Sequence, residues 1–175
     1  QNLPSVTTVV AGTPVKGSWW GHPKGNLMYN CSNELGEQSD VMVLKLVNKK
    51  VTFLQQRHWN ALLALVAEAG DWQMAGLRMN PKNLLKKVRE KGAIRIDDPT
   101  LSAKEISKLA TGLEEKLLVC SESIHTEAGK HVRLLKSWKV AMKDKGYVRQ
   151  NVSYADAIAH FEELRRKLAG SSGTK

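Results

Sequence analysis

Two hydrophobic periods alternate along the chain. Val41-Met-Val-Leu-Lys-Leu-Val47 and Lys50-Val-Thr-Phe-Leu-Gln-Gln56 are rich in β-formers. Asn48-Lys49 between them suits a tight turn, because asparagine tolerates positive φ, so a β-hairpin is predicted. Trp59, Leu62, Leu63 and Val66 then follow i, i+3, i+4, i+7 spacing, which predicts an amphipathic helix over 57–69 closed by Gly70. Upstream, 25–36 reads as a short helix with Asn26 as N-cap and Gly36 as its end, and 1–14 as a loosely tethered lead-in.

The second half changes character. Asn80-Pro81 opens a helix over 82–91 that stops at Gly92, and Ala93–Asp97 reads as a short strand. Ser102 caps a helix to Lys116 with Ile106, Leu109 and Leu113 on one face; a strand over 117–126 and a turn at Ala128-Gly129 follow. This is the order of a winged helix, with Ala103–Lys116 as recognition helix and Leu117–His131 as wing. Val132, Leu135, Trp138 and Met142 predict a further helix over 130–145. The last helix, Ser153–Leu168, carries Tyr154, Ile158, Phe161, Leu164 and Leu168 as its apolar stripe. The expected fold is therefore α+β and mainly helical. A Trp-rich loop, hairpin and helix unit occupies 1–79, a winged-helix-like basic unit 80–168 and a flexible tail 169–175. A helix-rich α+β fold of another topology would give a similar string of elements.

A chain of 175 residues can bury a sizeable core. No apolar run reaches the roughly 18 residues that span a bilayer, and Gln1–Val6 lacks the basic and apolar regions of a signal peptide. Cys31 and Cys120 make no disulfide framework, so a reducing, cytoplasmic and nucleoid-associated location is expected, with no membrane partner. Twenty-seven basic against seventeen acidic residues give a net charge of +10. Residues 1–80 hold seven basic and five acidic groups, and 81–175 hold twenty and twelve. That asymmetry suits a polyanion, nucleic acid ahead of an anionic membrane and DNA ahead of RNA, although solubility alone also favours a basic surface. Lys130, Arg133, Lys136, Lys139, Lys143, Lys145 and Arg149 form a stripe opposed only by Asp144, and Lys82, Lys86, Lys87, Arg89 and Lys91 form a second cluster. Such cations hold phosphates without reading sequence.

Val15-Lys-Gly-Ser-Trp-Trp-Gly-His-Pro-Lys-Gly-Asn26 places two adjacent tryptophans among glycines and cations. In an extended chain neighbouring side chains point to opposite sides, so one of Trp19 and Trp20 is expected inside and the other at the surface. An indole beside Lys16, His22, Lys24 and Arg57 is suited to base stacking with phosphate contact, or to wedging open a duplex. The alternative is that both indoles fill a gap in the core. In an enzymatic version, a glycosylase or abasic-site lyase, Lys16 is the Schiff-base amine, His22 a proton shuttle and Gln55 (or Gln56) a base or water ligand.

Gly17-Ser-Trp-Trp-Gly-His-Pro23, Lys45-Leu-Val-Asn-Lys-Lys-Val-Thr-Phe53, Trp59-Asn-Ala-Leu-Leu-Ala-Leu65 and Leu117-Leu-Val-Cys-Ser-Glu-Ser-Ile-His-Thr-Glu-Ala-Gly129 together resemble, in the same order, the blocks of a family of small, largely uncharacterised bacterial proteins. In that family's pattern a His-Arg-Arg run precedes the second Trp block and a Pro follows its Trp. Here Gln55-Gln56-Arg57 and Asn60 stand in those places, so a role for that histidine does not carry over. The resemblance implies no settled activity. The second half is loosely similar to winged-helix domains of DNA-binding and DNA-repair proteins, which implies DNA binding.

Other chemistries find little support. His125 and His131 stand six apart, and no CxxC, HxxxH or HExxH spacing occurs, so no metal or other cofactor is expected. There is no G-x-S-x-G elbow and no phosphate-cradling loop. The expected function is DNA binding, tied to recognising or processing damaged or distorted DNA. A winged-helix transcription regulator and a protein-interaction adaptor are the alternatives, and with no coiled-coil segment a monomer is expected.

Overall fold

The computed structural model describes residues 5–47, 50–66, 70–97, 103–125 and 129–170. In chain order its elements are α1 (Val6–Ala11), a 3-10 turn (Trp19–Gly21), α2 (Gly25–Glu37), β1 (Val41–Val47), β2 (Lys50–Gln55), a second 3-10 turn (Gln56–His58), α3 (Trp59–Val66), α4 (Asp71–Met74) and α5 (Met79–Lys91). There follow β3 (Ala93–Arg95), α6 (Ala103–Glu115), β4 (Cys120–His125), β5 (His131–Lys136), α7 (Trp138–Asp144) and α8 (Tyr154–Gly170). The protein is α+β and mainly helical, as its patterning predicts.

The hairpin forms where β-formers cluster. Met42 pairs with Leu54 and Leu44 with Thr52. Alternation turns Met42, Leu44 and Leu54 into the core while Val43 and Lys45 face outward. Its tip at Asn48-Lys49 lies outside the described residues. Met42, Leu44 and Leu54 pack on Trp59, Leu62, Leu63 and Val66 of α3, joined by Cys120 and Met142 with Trp138, Tyr147 and Phe161 at the margin. This core draws on both sides of residue 80. A second core joins Leu84, Leu85 and Val88 of α5 to Ile106, Ala110 and Leu113 of α6 over Ile94 and Leu135 of the second sheet. α3 and α8 meet through Ala61, Ala64 and Ala157, with Leu65, Val152 and Phe161 at the margin.

That sheet has the order β3-β5-β4, both pairings antiparallel. The strand–helix–hairpin order expected around residues 93–131 is present. A helix-turn-helix places two helices together, the second reading the groove, whereas among the described residues α6 alone stands between β3 and β4. The unit is a three-stranded sheet backed by two helices.

Several expectations are corrected. The helix predicted over 130–145 is instead strand β5, a cap and short helix α7. Val132 and Leu135 meet helical spacing, but pairing with both β3 and β4 satisfies the backbone of 131–136 as the central strand. Ser137 then caps α7 by accepting from the Val140 N–H at 3.4 Å. The strand predicted over 117–126 starts at Cys120, because Leu117 adopts a left-handed φ of 54° at the end of α6. Its carbonyl accepts from the Trp138 Nε1–H at 2.7 Å and from the Gln73 carboxamide at 3.2 Å, which hold that conformation. Residues 6–11 are helical rather than a loose lead-in, with Ser5 Oγ accepting from the Thr8 N–H. α2 starts behind Lys24 rather than Asn26 and runs past Gly36 to Glu37. α3 starts at Trp59, two residues later than predicted, behind the turn at 56–58, and residues 67–69 lie outside the described residues. Gly70 opens α4, its N–H donating to Gln73 Oε1 at 3.0 Å. α5 begins at Met79, three residues early. In α8 the inward stripe is rotated: Ala157 is fully buried, whereas Tyr154 and Ile158 are exposed. The expected tail is helical through Gly170. Ser102 and Ala128 lie outside the described residues.

Gly92 joins the end of α5 to the N-cap of α7. Its carbonyl accepts from the Ser137 N–H at 2.8 Å, and its φ is 78°. A Cβ there would sit 2.8 Å from Val140 Cγ2. Gly92→Ala is expected to destabilise the protein by about 2 kcal/mol or more, from left-handed strain of about 1–2 kcal/mol plus the clash. Urea denaturation measures it, and a loss below about 0.5 kcal/mol, the level of a neutral surface change, would show that the α5–α7 junction yields freely.

Candidate nucleic-acid interface

The aromatic site is built on a turn between α1 and α2. Gly17 takes a φ of 76° and turns the chain. Trp19–Gly21 then coils into the 3-10 turn, closed by the His22 N–H donating to the Trp19 carbonyl at 3.0 Å. His22 is half-buried, and its Nδ1 accepts from the Lys24 N–H at 3.1 Å. Gly25 opens α2 directly beneath. A Cβ there would lie 3.1 Å from the Trp19 carbonyl oxygen and 3.2 Å from that of Trp20, so glycine permits the close approach.

The segment is a tight turn rather than an extended chain, so the inner and the outer indole are not held apart. Trp19 is half-buried and Trp20 is 66% exposed, yet they stack on each other with ring centres 4.2 Å apart at 22°. Tyr29, one turn into α2 and 46% exposed, continues the surface 5.6 Å from Trp20 at 40°. Three aromatic rings thus form one cluster, with Trp20 in contact with both of the others and still 66% exposed. Tyr29 escapes a sequence reading because its spacing in 25–36 suits the apolar side of a helix. Only the turn brings it under Trp20.

The cations divide into engaged and open groups. Lys24 is exposed, but its Nζ donates to the Val10 carbonyl at 2.9 Å, neutralising the carbonyl end of α1. Lys16 is exposed, and among the described residues it lies over neither indole. Gln55 is exposed at the end of β2, opposite Val41, so no described hydrogen bond brings Lys16, His22 and Gln55 together. Arg57 is exposed, with its Nε–H donating to His58 Nε2.

The predicted stripe over 130–149 is broken by β5. Arg133 turns under the sheet and pairs with the buried Glu114 of α6, while its guanidinium also donates to Ser121 at 3.3 Å and Thr111 at 3.1 Å. Ser121 donates to the same carboxylate. Desolvation pulls the Arg133 guanidinium below its ordinary value. Lys136, only 12% exposed, bridges Glu122 at 2.5 Å and Asp144 at 2.7 Å. Burial alone would lower its ammonium, but the hydrogen bonds to Asp144 and Glu122 outweigh that and hold it above the ordinary lysine value. Both residues are tied into the fold. Lys139 and Lys143 on α7 are exposed; Lys145 after it and Lys130 just before β5 are also at the surface, and Lys145 stands over the Trp59 ring.

On α5, Lys82, Lys86, Lys87, Arg89 and Lys91 all face solvent, with Lys86 in an exposed pair with Glu90 at 3.8 Å. The Gly92–Ser137 bond brings the end of α5 to the start of α7. The outward face of α6 is different. Its described exposed residues are Glu105, Ser107, Lys108 and Glu115, one cation against two carboxylates.

Burial pushes the Cys120 thiol up to about 12, against the pull of Lys136, so it stays protonated at neutral pH. Among the described residues no three of His, Cys, Asp and Glu converge, and no helix is long and apolar enough to cross a membrane. No family model matches the chain, and no curated protein and no solved structure matches it.

Proposed function

We propose that the protein binds nucleic acid, with DNA that exposes an unpaired or unstacked base as its preferred target. One observation carries this reading: Trp20 is 66% exposed and already stacked on Trp19, with Tyr29 beside it. An indole pair held in a glycine-bounded turn has little conformational freedom left to lose. A base laid on Trp20 would continue an existing stack, with stacking of about 1–3 kcal/mol per base. The exposed cations of α5 and α7 supply sequence-independent phosphate contact, with binding that weakens steeply as salt rises. Recognition rests with the aromatic cluster.

Fluorescence anisotropy on matched oligonucleotides tests this: intact duplex, mismatch, abasic duplex and single strand, each at two salt concentrations. The expected result is preference for the disrupted and single-stranded forms that survives high salt. Trp20→Ala should cut their affinity roughly 5- to 150-fold, while changing stability by no more than about 0.5 kcal/mol. Equal binding to all four, erased by salt and indifferent to Trp20, would reduce the site to a basic surface. Borohydride trapping on the abasic duplex, compared with Lys16→Ala, separates binding from processing. A trapped adduct that depends on Lys16 makes the protein a lyase, and its absence leaves recognition alone.

A further inference from the structure

Three asparagines share the exposed side of α2 with Tyr29. Asn26 stands three residues before Tyr29 and Asn33 four after it. Residues at those spacings are neighbours on a helix surface, so a carboxamide flanks Tyr29 along the helix in each direction. Asn30 completes the row, four residues from Asn26 and three from Asn33. The Tyr29 ring in turn lies 5.6 Å from that of Trp20. All three asparagines are exposed, and none has a side-chain hydrogen-bond partner among the described residues. Their polar neighbours differ: Ser32 Oγ donates to the Met28 carbonyl at 2.8 Å, and the Gln38 carboxamide to the Glu34 carbonyl at 3.3 Å.

Asparagine is a weak helix former, because its short side chain competes for backbone groups, and its usual places are caps and turns. None of the three fills such a place. α2 begins behind Lys24, and Asn26, Asn30 and Asn33 all stand inside it. Core packing does not use them either, since α2 turns the fully buried Met28 inward. A local choice that works against its own element is the kind found at functional positions.

The chemistry of the row suits a base edge and not a phosphate. Residues 25–37 contain no lysine or arginine, and Glu34 and Glu37 add negative charge toward the end of the helix. Lys24, just ahead of it, is engaged by the Val10 carbonyl. A carboxamide sets an acceptor oxygen beside N–H donors. The major-groove edge of adenine answers with the N6 amino donor beside the N7 acceptor, whereas that of guanine carries two acceptors, O6 and N7. Adenine thus combines the stacking area of a two-ring base with the usual partner edge of asparagine. We propose that Asn26, Asn30 and Asn33 read the edge of the base held at Trp19, Trp20 and Tyr29, and that the preferred base is an unpaired adenine. This inference rests on base stacking at Trp20 and adds the identity of the base.

Fluorescence anisotropy tests it with the full chain and one duplex carrying a single unpaired base, adenine, guanine, cytosine or thymine in turn. Adenine should bind at least about fivefold tighter than guanine, the lower end of what a bidentate asparagine contact supplies. Guanine is the decisive comparison, because it stacks with a similar area and differs at the edge. The triple variant Asn26→Ala, Asn30→Ala, Asn33→Ala should bring adenine level with guanine, while the remaining binding still depends on Trp20. Alanine is the better helix former, so the urea midpoint of this variant should not fall. Adenine and guanine bound alike by the wild type would overturn the inference, as would an adenine preference that survives the triple variant. Either result, with affinity still lost in Trp20→Ala, leaves stacking at Trp20 standing. Binding indifferent both to the base and to Trp20→Ala overturns the two together.

Discussion

Replacing Trp59 by alanine is expected to destabilise the protein by about 3–5 kcal/mol, in the range found for large aromatic truncations in cores. Trp59 is 1% exposed and lies at the centre of the core formed by the hairpin, α3 and α7. Its Nε1–H donates to the Leu54 carbonyl at 2.9 Å, which ties the start of α3 to the end of β2. Tyr147 meets the ring edge-on at 5.0 Å, and Lys145 stands over it at 5.6 Å. Truncation opens a cavity that three separate elements would have to fill, and it strips the Leu54 carbonyl of this partner. Since domains are stable by only about 5–15 kcal/mol, Trp59→Ala should shift the urea midpoint drastically, and a loss under about 1 kcal/mol would contradict the packing described. Trp20→Ala gives the opposite signature, intact stability and weakened binding. The two substitutions together separate core indole from exposed indole.

Arg133→Ala is expected to cost about 3 kcal/mol, toward the lower end of the range for breaking a buried pair because the Arg133 side chain keeps 21% of its exposure. The loss arises less from the missing attraction than from the Glu114 carboxylate left in a dry site, with Ser121 remaining to donate to it. Glu114→Ala should produce a similar loss, and the double variant should lose distinctly less than the two singles combined, which is the mark of a coupled pair. Denaturation of the four proteins measures it. Were Arg133 instead a phosphate contact, its replacement would weaken nucleic-acid binding and reduce the salt slope while the urea midpoint stayed in place.

Local pattern carried much of this fold. The hairpin, α3, α5 and the buried face of α6 follow directly from the spacing of their apolar residues and from the glycines and proline that bound them. Where long-range pairing decides, spacing misleads. His131–Lys136 satisfies a helical period, but it pairs with β4 just before it and with β3 on the far side of α6, a pairing that no local window spans. The same holds for the site. Trp19 and Trp20 stood out by composition, yet their stacking depends on a 3-10 turn and on Gly25, and Tyr29 joins them only in three dimensions. Arg133 and Lys136 read as surface charge in the sequence, because only the fold brings Glu114, Glu122 and Asp144 beside them.

The return of α8 to α3 has a consequence for synthesis. About ninety residues separate the end of α3 from the start of α8, an interval of roughly five to twenty seconds on a ribosome. For that time the alanine face of α3 has been made but its cover has not. The hairpin can close on Trp59 early, whereas the alanine face of α3 must wait for α8 before it is shielded. Vectorial production therefore leaves that face uncovered until α8 has emerged.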